Sequence, residues 1–323
     1  MHSTKKEVSL SPKDTIRGLA EHVKAAVLPH LGTWRARKVT GIASSGDATF
    51  DIDDIAEEAV EQFLRDNDVN VAYYSEDKGL VRPFPNREPD GILIIDPIDG
   101  TRGAIAGFEA CVVSVAWADP VPNPALKDVR YAAITEIKGS LTFAAERGAG
   151  VQITDAQGNT ISPFLAPTTE IPNMALTLGV VGAPMELIFS ALQNIANITT
   201  VRGGFFILNS SAFELTRLVT GQLSGIIDVR NRLIRDFPQT KERFKALGGG
   251  RMLCLYGYDV AGAALIATEA GAVISDAWGR DLSDWNLMDT TEPNFGSLIA
   301  ASNPVLHSKT VEAVNEGFKN LRV

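Results

Sequence analysis

One short apolar run limits the folds that are open to this chain. The sequence GILIID, at residues 91–96, places four large apolar residues in succession and ends in Asp96. A continuous apolar run of this kind is typical of a strand buried on both faces, so other elements must cover both sides of its sheet. Pro97 lacks a backbone donor and is predicted to end the strand. The turn that follows can then direct Asp96 and Asp99 into a common space.

The other elements mix helices and strands in blocks rather than in strict alternation. Apolar residues at helical spacing predict helices at residues 14–31, 53–67, 184–195, 211–222, 259–271 and 304–321. Apolar runs predict strands at residues 69–74, 91–96, 110–118, 129–137, 141–148, 174–181, 223–230, 272–279 and 297–303, with a hairpin at 150–161. This order favours a layered α+β architecture over a Rossmann sheet or a barrel.

Composition excludes several classes of protein. The net charge of −9 disfavours a broad nucleic-acid footprint, so an anionic substrate would need local positive charge or metal ions. The polar N-terminus has no apolar stretch typical of a secretory signal, and no apolar run approaches the roughly 20 residues of a membrane span. Cys111 and Cys254 lie in apolar segments and are predicted to be reduced core thiols. A cytoplasmic protein without a membrane partner is expected.

Four further acids stand where an element begins or ends. Glu76 and Asp77 follow a predicted strand, whereas Asp53 and Asp259 stand at the starts of predicted helices. Each of them could simply cap a turn or a helix. Taken with the acids of the 96–99 turn, they are suited to a hard divalent cation, which prefers carboxylate oxygens. The backbone N–H groups of residues 100–101 are suited to a phosphate.

The motifs together resemble those of the inositol monophosphatase family. The resemblance rests on DPIDGT at residues 96–101, on Glu76-Asp77, on YDVAGAALIATEAG from Tyr258 and on GDATFDIDDIAEE from Gly46, in the right order over residues 45–300. The spacing and the sequence IDVRNRL are most similar to those of archaeal-type enzymes that act on both inositol monophosphate and fructose 1,6-bisphosphate. The resemblance implies an αβαβα sandwich, a Mg²⁺-dependent phosphomonoesterase with a small phosphorylated substrate, and a homodimer.

Metal ligands follow from the resemblance position by position. It implies that Glu76, Asp96 and the carbonyl of Ile98 bind one metal ion. It implies that Asp96, Asp99 and Asp259 bind a second, with Asp96 bridging the two. Two or three Mg²⁺ ions are expected in the site, and Mn²⁺ could replace them.

Catalytic residues are implied in the same way. Asp53 and Thr101 resemble the pair that orients and deprotonates the attacking water, with Glu76 as the third catalytic residue. The backbone N–H groups of Gly100 and Thr101 resemble a phosphate cradle. One metal would lower the pKa of the water and the other would stabilise the leaving alkoxide during in-line displacement.

Substrate contacts are the part in which the sequence departs from the family. Ser211 and Asp228 resemble groups that face a substrate hydroxyl. Arg102 follows the cradle where relatives have an uncharged residue, and it could bind a second anionic group, face solvent or pair with a carboxylate. A basic segment at residues 234–258 intervenes before the last acidic motif, and Arg230 just ahead of it is counted among the substrate contacts. That segment could be a lid or a surface helix.

The chain is expected to divide at its proline-rich stretch, residues 163–172. An N-terminal half, 1–166, would carry most metal ligands, and a C-terminal half, 167–323, would carry the substrate contacts and the last metal ligand. Two other functions remain open: hydrolysis of 3′-phosphoadenosine 5′-phosphate, and a role mainly as a regulatory binding partner.

Overall fold

The strand GILIID lies inside an eight-stranded sheet of a computed structural model that describes residues 10–43 and 46–322. The strands of this sheet run in the order β10-β9-β8-β7-β6-β5-β3-β4. Their bounds are β3 Ala72–Ser75, β4 Gly79–Val81, β5 Ile92–Asp99, β6 Val112–Ala118, β7 Val129–Glu136, β8 Thr142–Glu146, β9 Gly150–Thr154 and β10 Thr160–Ile161. A separate hairpin precedes them, formed by β1 Val39–Ile42 and β2 Ala48–Phe50.

A second sheet of five strands follows the proline-rich stretch. Its order is β12-β11-β13-β15-β14. The strands are β11 Ala175–Leu178, β12 Gly204–Phe206, β13 Gly225–Asp228, β14 Val273–Ser275 and β15 Leu298–Ala301. The chain thus passes from the first sheet to the second between residues 161 and 175. The division into two halves at residue 166 stays a prediction.

Nine α-helices of the described residues surround and separate the sheets. They are α1 Pro12–Val27, α2 Asp51–Asp66, α3 Thr101–Ala106, α4 Met185–Arg202, α5 Ser211–Val219, α6 Arg230–Asp236, α7 Lys241–Leu247, α8 Gly257–Glu269 and α9 Pro304–Asn320. The first helix is shorter than predicted because Pro29 lacks the donor that an α-helix needs, and residues 28–30 form a 3₁₀ turn instead. Among the described residues, no helix is long and apolar enough to cross a bilayer.

Three apolar clusters define five layers. Helices α1 and α2 pack on one face of the first sheet. Helices α5 and α8 lie between the two sheets, and α4 and α9 cover the outer face of the second sheet. Along β5, Ile92 and Ile94 face the central cluster while Leu93 and Ile95 face α1 and α2. The prediction of a strand buried on both faces, within a layered αβαβα sandwich, is therefore confirmed.

The end of β5 differs from the prediction. Pro97 does not end the strand, which continues to Asp99. Asp96 pairs with Ser114 and Asp99 with Val112, so three steps along β5 match two along β6. This extra residue is a bulge, which absorbs the missing donor of Pro97 while pairing resumes beyond it. The bulge changes the alternation of side chains, so that Asp96 and Asp99 both reach the same cavity.

Candidate active site

A cavity at the end of β5 gathers most of the predicted site residues. The predicted residues on its wall are Glu76, Asp96, Ile98, Asp99, Gly100, Thr101, Arg102, Ser211, Arg230 and Asp259. Residues on the same wall that the sequence did not single out for this site include Asp47, Gly179, Ser210, Glu214, Leu253 and Tyr256. Asp53 and Asp228 lie outside the lining. A larger cavity of about 600 Å³, beside α6 and residues 276–297, contains none of the predicted residues.

Asp96 is one of the buried acids of the cavity. It is 4% exposed, and one carboxylate oxygen accepts a hydrogen bond from the Ile98 N–H at 3.1 Å. Burial raises the pKa of Asp96 well above its ordinary value, and the nearby charges of Asp99 and Glu76 raise it further. An additional negative charge is costly at this position unless a cation balances it.

Asp99 is held by the start of α5. Its Oδ2 accepts hydrogen bonds from the Ser210 hydroxyl at 2.8 Å, from the Ala212 N–H at 2.5 Å and from the Phe213 N–H at 3.3 Å. Burial raises the pKa of Asp99 to about 6 even though these donors lower it. No local pattern pointed to this contact, because the partners lie more than one hundred residues apart in the chain. The second carboxylate of the DPID turn is therefore fixed by tertiary structure.

Asp53 and Asp259 occupy equivalent positions on two helices. Each is the third residue of its helix and reaches back to the backbone N–H before it, from Asp53 Oδ2 to Phe50 at 2.8 Å and from Asp259 Oδ2 to Tyr256 at 2.9 Å. This capping contact fixes the carboxylate and orients it. Burial raises the pKa of Asp53 to about 7 and that of Asp259 to about 8.

Thr101 connects α2 with the cradle. Its hydroxyl lies 3.2 Å from Asp53 Oδ1 and 3.0 Å from the Ile98 carbonyl, so it donates to one of two acceptors. Gly100 precedes it with φ of 89°, in the left-handed region. A Cβ there would lie 2.4 Å from the Ala110 carbonyl oxygen and 2.9 Å from Ser210 Cβ. The tight turn into α3 thus requires glycine.

The donor set fits a hard metal ion in its chemistry. Carboxylates of Glu76, Asp96, Asp99 and Asp259 and a backbone carbonyl are the ligands that Mg²⁺ prefers. As the side chains stand, no three His, Cys, Asp or Glu groups among the described residues are arranged to hold an ion. Burial and then the charges of the neighbouring carboxylates raise the pKa of Asp96, and a bound cation would offset both effects. The residues therefore fit metal ions after side-chain adjustment.

Arg230 and Asp228 form a buried ion pair. Arg230 Nη2 lies 2.6 Å and Nε 3.0 Å from Asp228 Oδ2, and Nη1 donates to the Val181 carbonyl at 2.9 Å. The two side chains are 7% and 4% exposed. Arg230 lines the cavity, whereas Asp228 lies behind it, with its oxygens directed to the guanidinium. The predicted contact of Asp228 with a substrate hydroxyl stays a prediction, and this pairing leaves less room for it.

Arg102 pairs with a carboxylate that the sequence did not single out. Its Nη1 and Nη2 lie 2.9 Å and 2.7 Å from the two oxygens of Asp47, a bidentate contact. Of the three alternatives for Arg102, the free protein adopts the carboxylate one. Arg102 and Arg230 are the cationic side chains among the described residues of the lining, and both are paired with aspartates.

The middle of the basic segment forms a surface helix, α7, in this structure. Phe244 is buried and fixes α7 to the outer core. Its basic residues pair outside the cavity, with Lys241 on Glu292 and Arg243 on Glu186. A lid built from these charges is not observed, because the packing of Phe244 holds α7 against the body. Only the end of the segment, residues 253–256, reaches the cavity wall.

Comparison with known proteins gives consistent matches over most of the chain. The model of the inositol monophosphatase family matches residues 14–318. The fructose-1,6-bisphosphatase/inositol-1-monophosphatase of Methanothermobacter thermautotrophicus is 25% identical over 300 residues, which cover 92% of this chain and 94% of that protein. The inositol-1-monophosphatase of Aeropyrum pernix is 26% identical over 249 residues, covering 75% and 77%. The crystal structure of an inositol monophosphatase–fructose 1,6-bisphosphatase has a TM-score of 0.69 at 20% identity, covering 95% of this chain and 100% of that one, a likeness in fold.

Proposed function

Because this chain belongs to the inositol monophosphatase family and is a phosphoric monoester hydrolase, we propose that it hydrolyses inositol monophosphate, fructose 1,6-bisphosphate or both with Mg²⁺ ions. The observation that carries the proposal is the convergence on one cavity of acids from three separate segments. Glu76 follows β3, Asp96 and Asp99 lie on β5, and Asp259 lies on α8. The Gly100-Thr101 turn borders the same cavity.

The proposed metal ligands are those of the family pattern. Glu76, Asp96 and the Ile98 carbonyl would hold one ion, and Asp96, Asp99 and Asp259 another, with Mn²⁺ as a possible substitute for Mg²⁺. Bound divalent ions would supply Lewis-acid stabilisation of the phosphate charge and acidify the attacking water. A third ion in the same site belongs to the same proposal.

The protein's own groups would position and deprotonate the nucleophile. The Thr101 hydroxyl lies within hydrogen-bond reach of Asp53 Oδ1, so a water that donates to Thr101 can pass its proton towards that carboxylate. Asp53 is fixed by its second oxygen on the Phe50 N–H and cannot swing away without losing that bond. The N–H groups of Gly100 and Thr101 would receive the phosphate oxygens.

Contacts with the rest of the substrate are proposed for four residues. Ser211, Arg102 and Arg230 lie on the cavity wall and can reach a polyol or a second anion. Asp228 would accept a hydrogen bond from a substrate hydroxyl while it keeps part of its pairing with Arg230.

We further propose a homodimer in the cytoplasm, with neither a nucleic acid nor a membrane as partner.

A phosphate-release panel tests this function. The purified protein is assayed with Mg²⁺ against inositol 1-phosphate, fructose 1,6-bisphosphate, other sugar phosphates and 3′-phosphoadenosine 5′-phosphate. We expect turnover of an inositol or fructose ester, and loss of that turnover with a chelator. Selective turnover of the nucleotide would replace the proposed substrate class, and no turnover of any ester would favour the regulatory partner.

A further inference from the structure

The contact between Arg102 and Asp47 stands at the mouth of the candidate active site. Both residues line the cavity, and Arg102 directly follows the Gly100-Thr101 turn. Both guanidinium nitrogens Nη1 and Nη2 are engaged by the one carboxylate, at 2.9 Å and 2.7 Å. A bidentate guanidinium contact of this geometry is the one that a phosphate oxygen pair also makes. Asp47 therefore occupies a position suited to an anionic group of a ligand.

The ion pair is more exposed to water than the other arginine–aspartate pair of the cavity. The Arg102 side chain is 44% exposed and that of Asp47 is 23% exposed, in contrast to the buried pair of Arg230 and Asp228. Exposed ion pairs contribute little to stability because water screens them and two side chains must be ordered. A dianionic phosphate has a higher charge than one carboxylate, and it can therefore compete for Arg102.

Asp47 stands on the turn of the separate β1–β2 hairpin. The Ala43 N–H donates to the Asp47 carbonyl at 2.9 Å and the Gly46 N–H to the Ala43 carbonyl at 3.0 Å, which fixes the backbone of Asp47. The side chain of Arg251 lies against Gly46, since a Cβ placed there would be 3.1 Å from Arg251 Nη1. A second guanidinium thus borders the same turn, although Arg251 is not among the residues that line the cavity.

We propose that Asp47 is a specificity-determining residue that occupies Arg102 in the free protein and gives it up to a second anionic group of the substrate. This inference rests on the proposed function, and it deepens it by separating esters with one anionic group from those with two. An ester with one phosphate leaves Arg102 on Asp47. An ester with a second phosphate must break that pair in order to bind, and this lowers its affinity.

The test compares fructose 1-phosphate and fructose 1,6-bisphosphate in steady-state kinetics of the wild type, Asp47→Asn, Arg102→Ala and the double variant. Asp47→Asn keeps the shape but weakens the competing contact. We expect it to lower KM for the bisphosphate by about 5–10-fold and KM for the monophosphate less than about 2-fold, with kcat unchanged. In the Arg102→Ala background the same change should have no effect, since the two residues act through one contact.

A matched control is Asp119→Asn, which neutralises another partly exposed aspartate paired with an arginine, Arg130, at 2.7 Å. It lies beyond Ala118, at the end of β6 away from the β5 bulge, and should leave both KM values unchanged. Equal changes of KM for both esters in Asp47→Asn, or an effect that persists without Arg102, would overturn the inference while turnover itself upholds the proposed function. No turnover of any ester by any form would overturn both.

Discussion

The Thr101 hydroxyl lies 3.2 Å from the carboxylate of Asp53, a residue 48 positions earlier in the chain. The two belong to different elements, since Thr101 begins α3 and Asp53 lies in the first turn of α2. The contact places a hydroxyl between a buried carboxylate and the cavity that holds the other acids. This is the arrangement expected of a group that orients a water and of a base that receives its proton.

Asp53→Asn should therefore lower kcat by about 10²-fold or more without changing the fold, because general-base catalysis contributes about that much. The Asn side chain can still accept from the Phe50 N–H, so the start of α2 stays capped. The measurement is phosphate release at saturating substrate and Mg²⁺, with circular dichroism as the check on folding. Activity within about 3-fold of the wild type would exclude Asp53 as the base, since general-base catalysis contributes much more than that.

Asp96→Asn is expected to abolish phosphatase activity at saturating Mg²⁺, because Asp96 is the proposed bridge between two ions. The same variant should bind Mn²⁺ more weakly, which electron paramagnetic resonance of free Mn²⁺ measures without any turnover. The fold should be retained, since the amide replaces a buried carboxyl group whose pKa is already raised well above its ordinary value. Unchanged Mn²⁺ binding together with most of the activity would contradict the metal assignment.

The metal-free protein should become less stable as the pH rises. Burial raises the pKa of Asp99 to about 6, of Asp53 to about 7 and of Asp259 to about 8. Between pH 4 and pH 8 the folded state therefore binds more protons than the unfolded state, so the free energy of unfolding falls over this window. We expect Tm to fall by roughly 5 °C or more from pH 5 to pH 8, since ~1 kcal/mol shifts Tm by about 2–4 °C in large domains.

Mg²⁺ should reverse that loss, and it should raise Tm more at pH 8 than at pH 5, because protons and metal ions compete for the same carboxylates. Asp96→Asn serves as the control, since it removes one of the repelling charges and should flatten the dependence of Tm on pH. Differential scanning fluorimetry after exhaustive chelation makes the measurement. A Tm that rises with pH in the metal-free wild type would contradict the inferred crowding of carboxylates.

Gly100→Ala should impair both stability and activity. The added Cβ would meet the Ala110 carbonyl oxygen at 2.4 Å, and φ of 89° is unfavourable for alanine. The expected loss exceeds ~1 kcal/mol in urea unfolding, and kcat should fall because the turn that bears the N–H groups must shift. Gly148→Ala is the matched control, with φ of 78° and open space around the new Cβ. Equal effects of the two variants would show that the close contact at Gly100 is unimportant.

Replacement of one member of the buried ion pair between Asp228 and Arg230 should strongly lower the free energy of unfolding. Arg230→Met leaves Asp228 buried without its guanidinium, and we expect a loss of about 3–5 kcal/mol in the free energy of unfolding. The double variant Asp228→Asn/Arg230→Met should recover a large part of that loss, since no uncompensated charge remains. Urea denaturation of the four members of this cycle gives the coupling energy. Additive losses would mean that the two side chains do not depend on each other.

Local sequence patterns determined which segments form helices and strands and which acids are candidate site residues. The apolar run of β5 predicted a strand buried on both faces, and the starts of α2 and α8 followed from Asp53 and Asp259 near helix beginnings. These features depend on periodicity and capping, which act within a few residues. The family resemblance drawn from the same acids is confirmed by the match of residues 14–318.

Tertiary structure alone decided what each side chain meets. Asp99 accepts hydrogen bonds from the start of α5, more than one hundred residues later, and Asp47 pairs with Arg102 across 55 positions. The packing of Phe244 holds α7 on the surface, where the sequence also allowed a lid. Even the neighbours Asp228 and Arg230 pair because β13 ends and α6 begins between them in a buried place. Sequence periodicity does not predict such contacts, because they depend on how distant segments pack and on which charged groups are desolvated by burial.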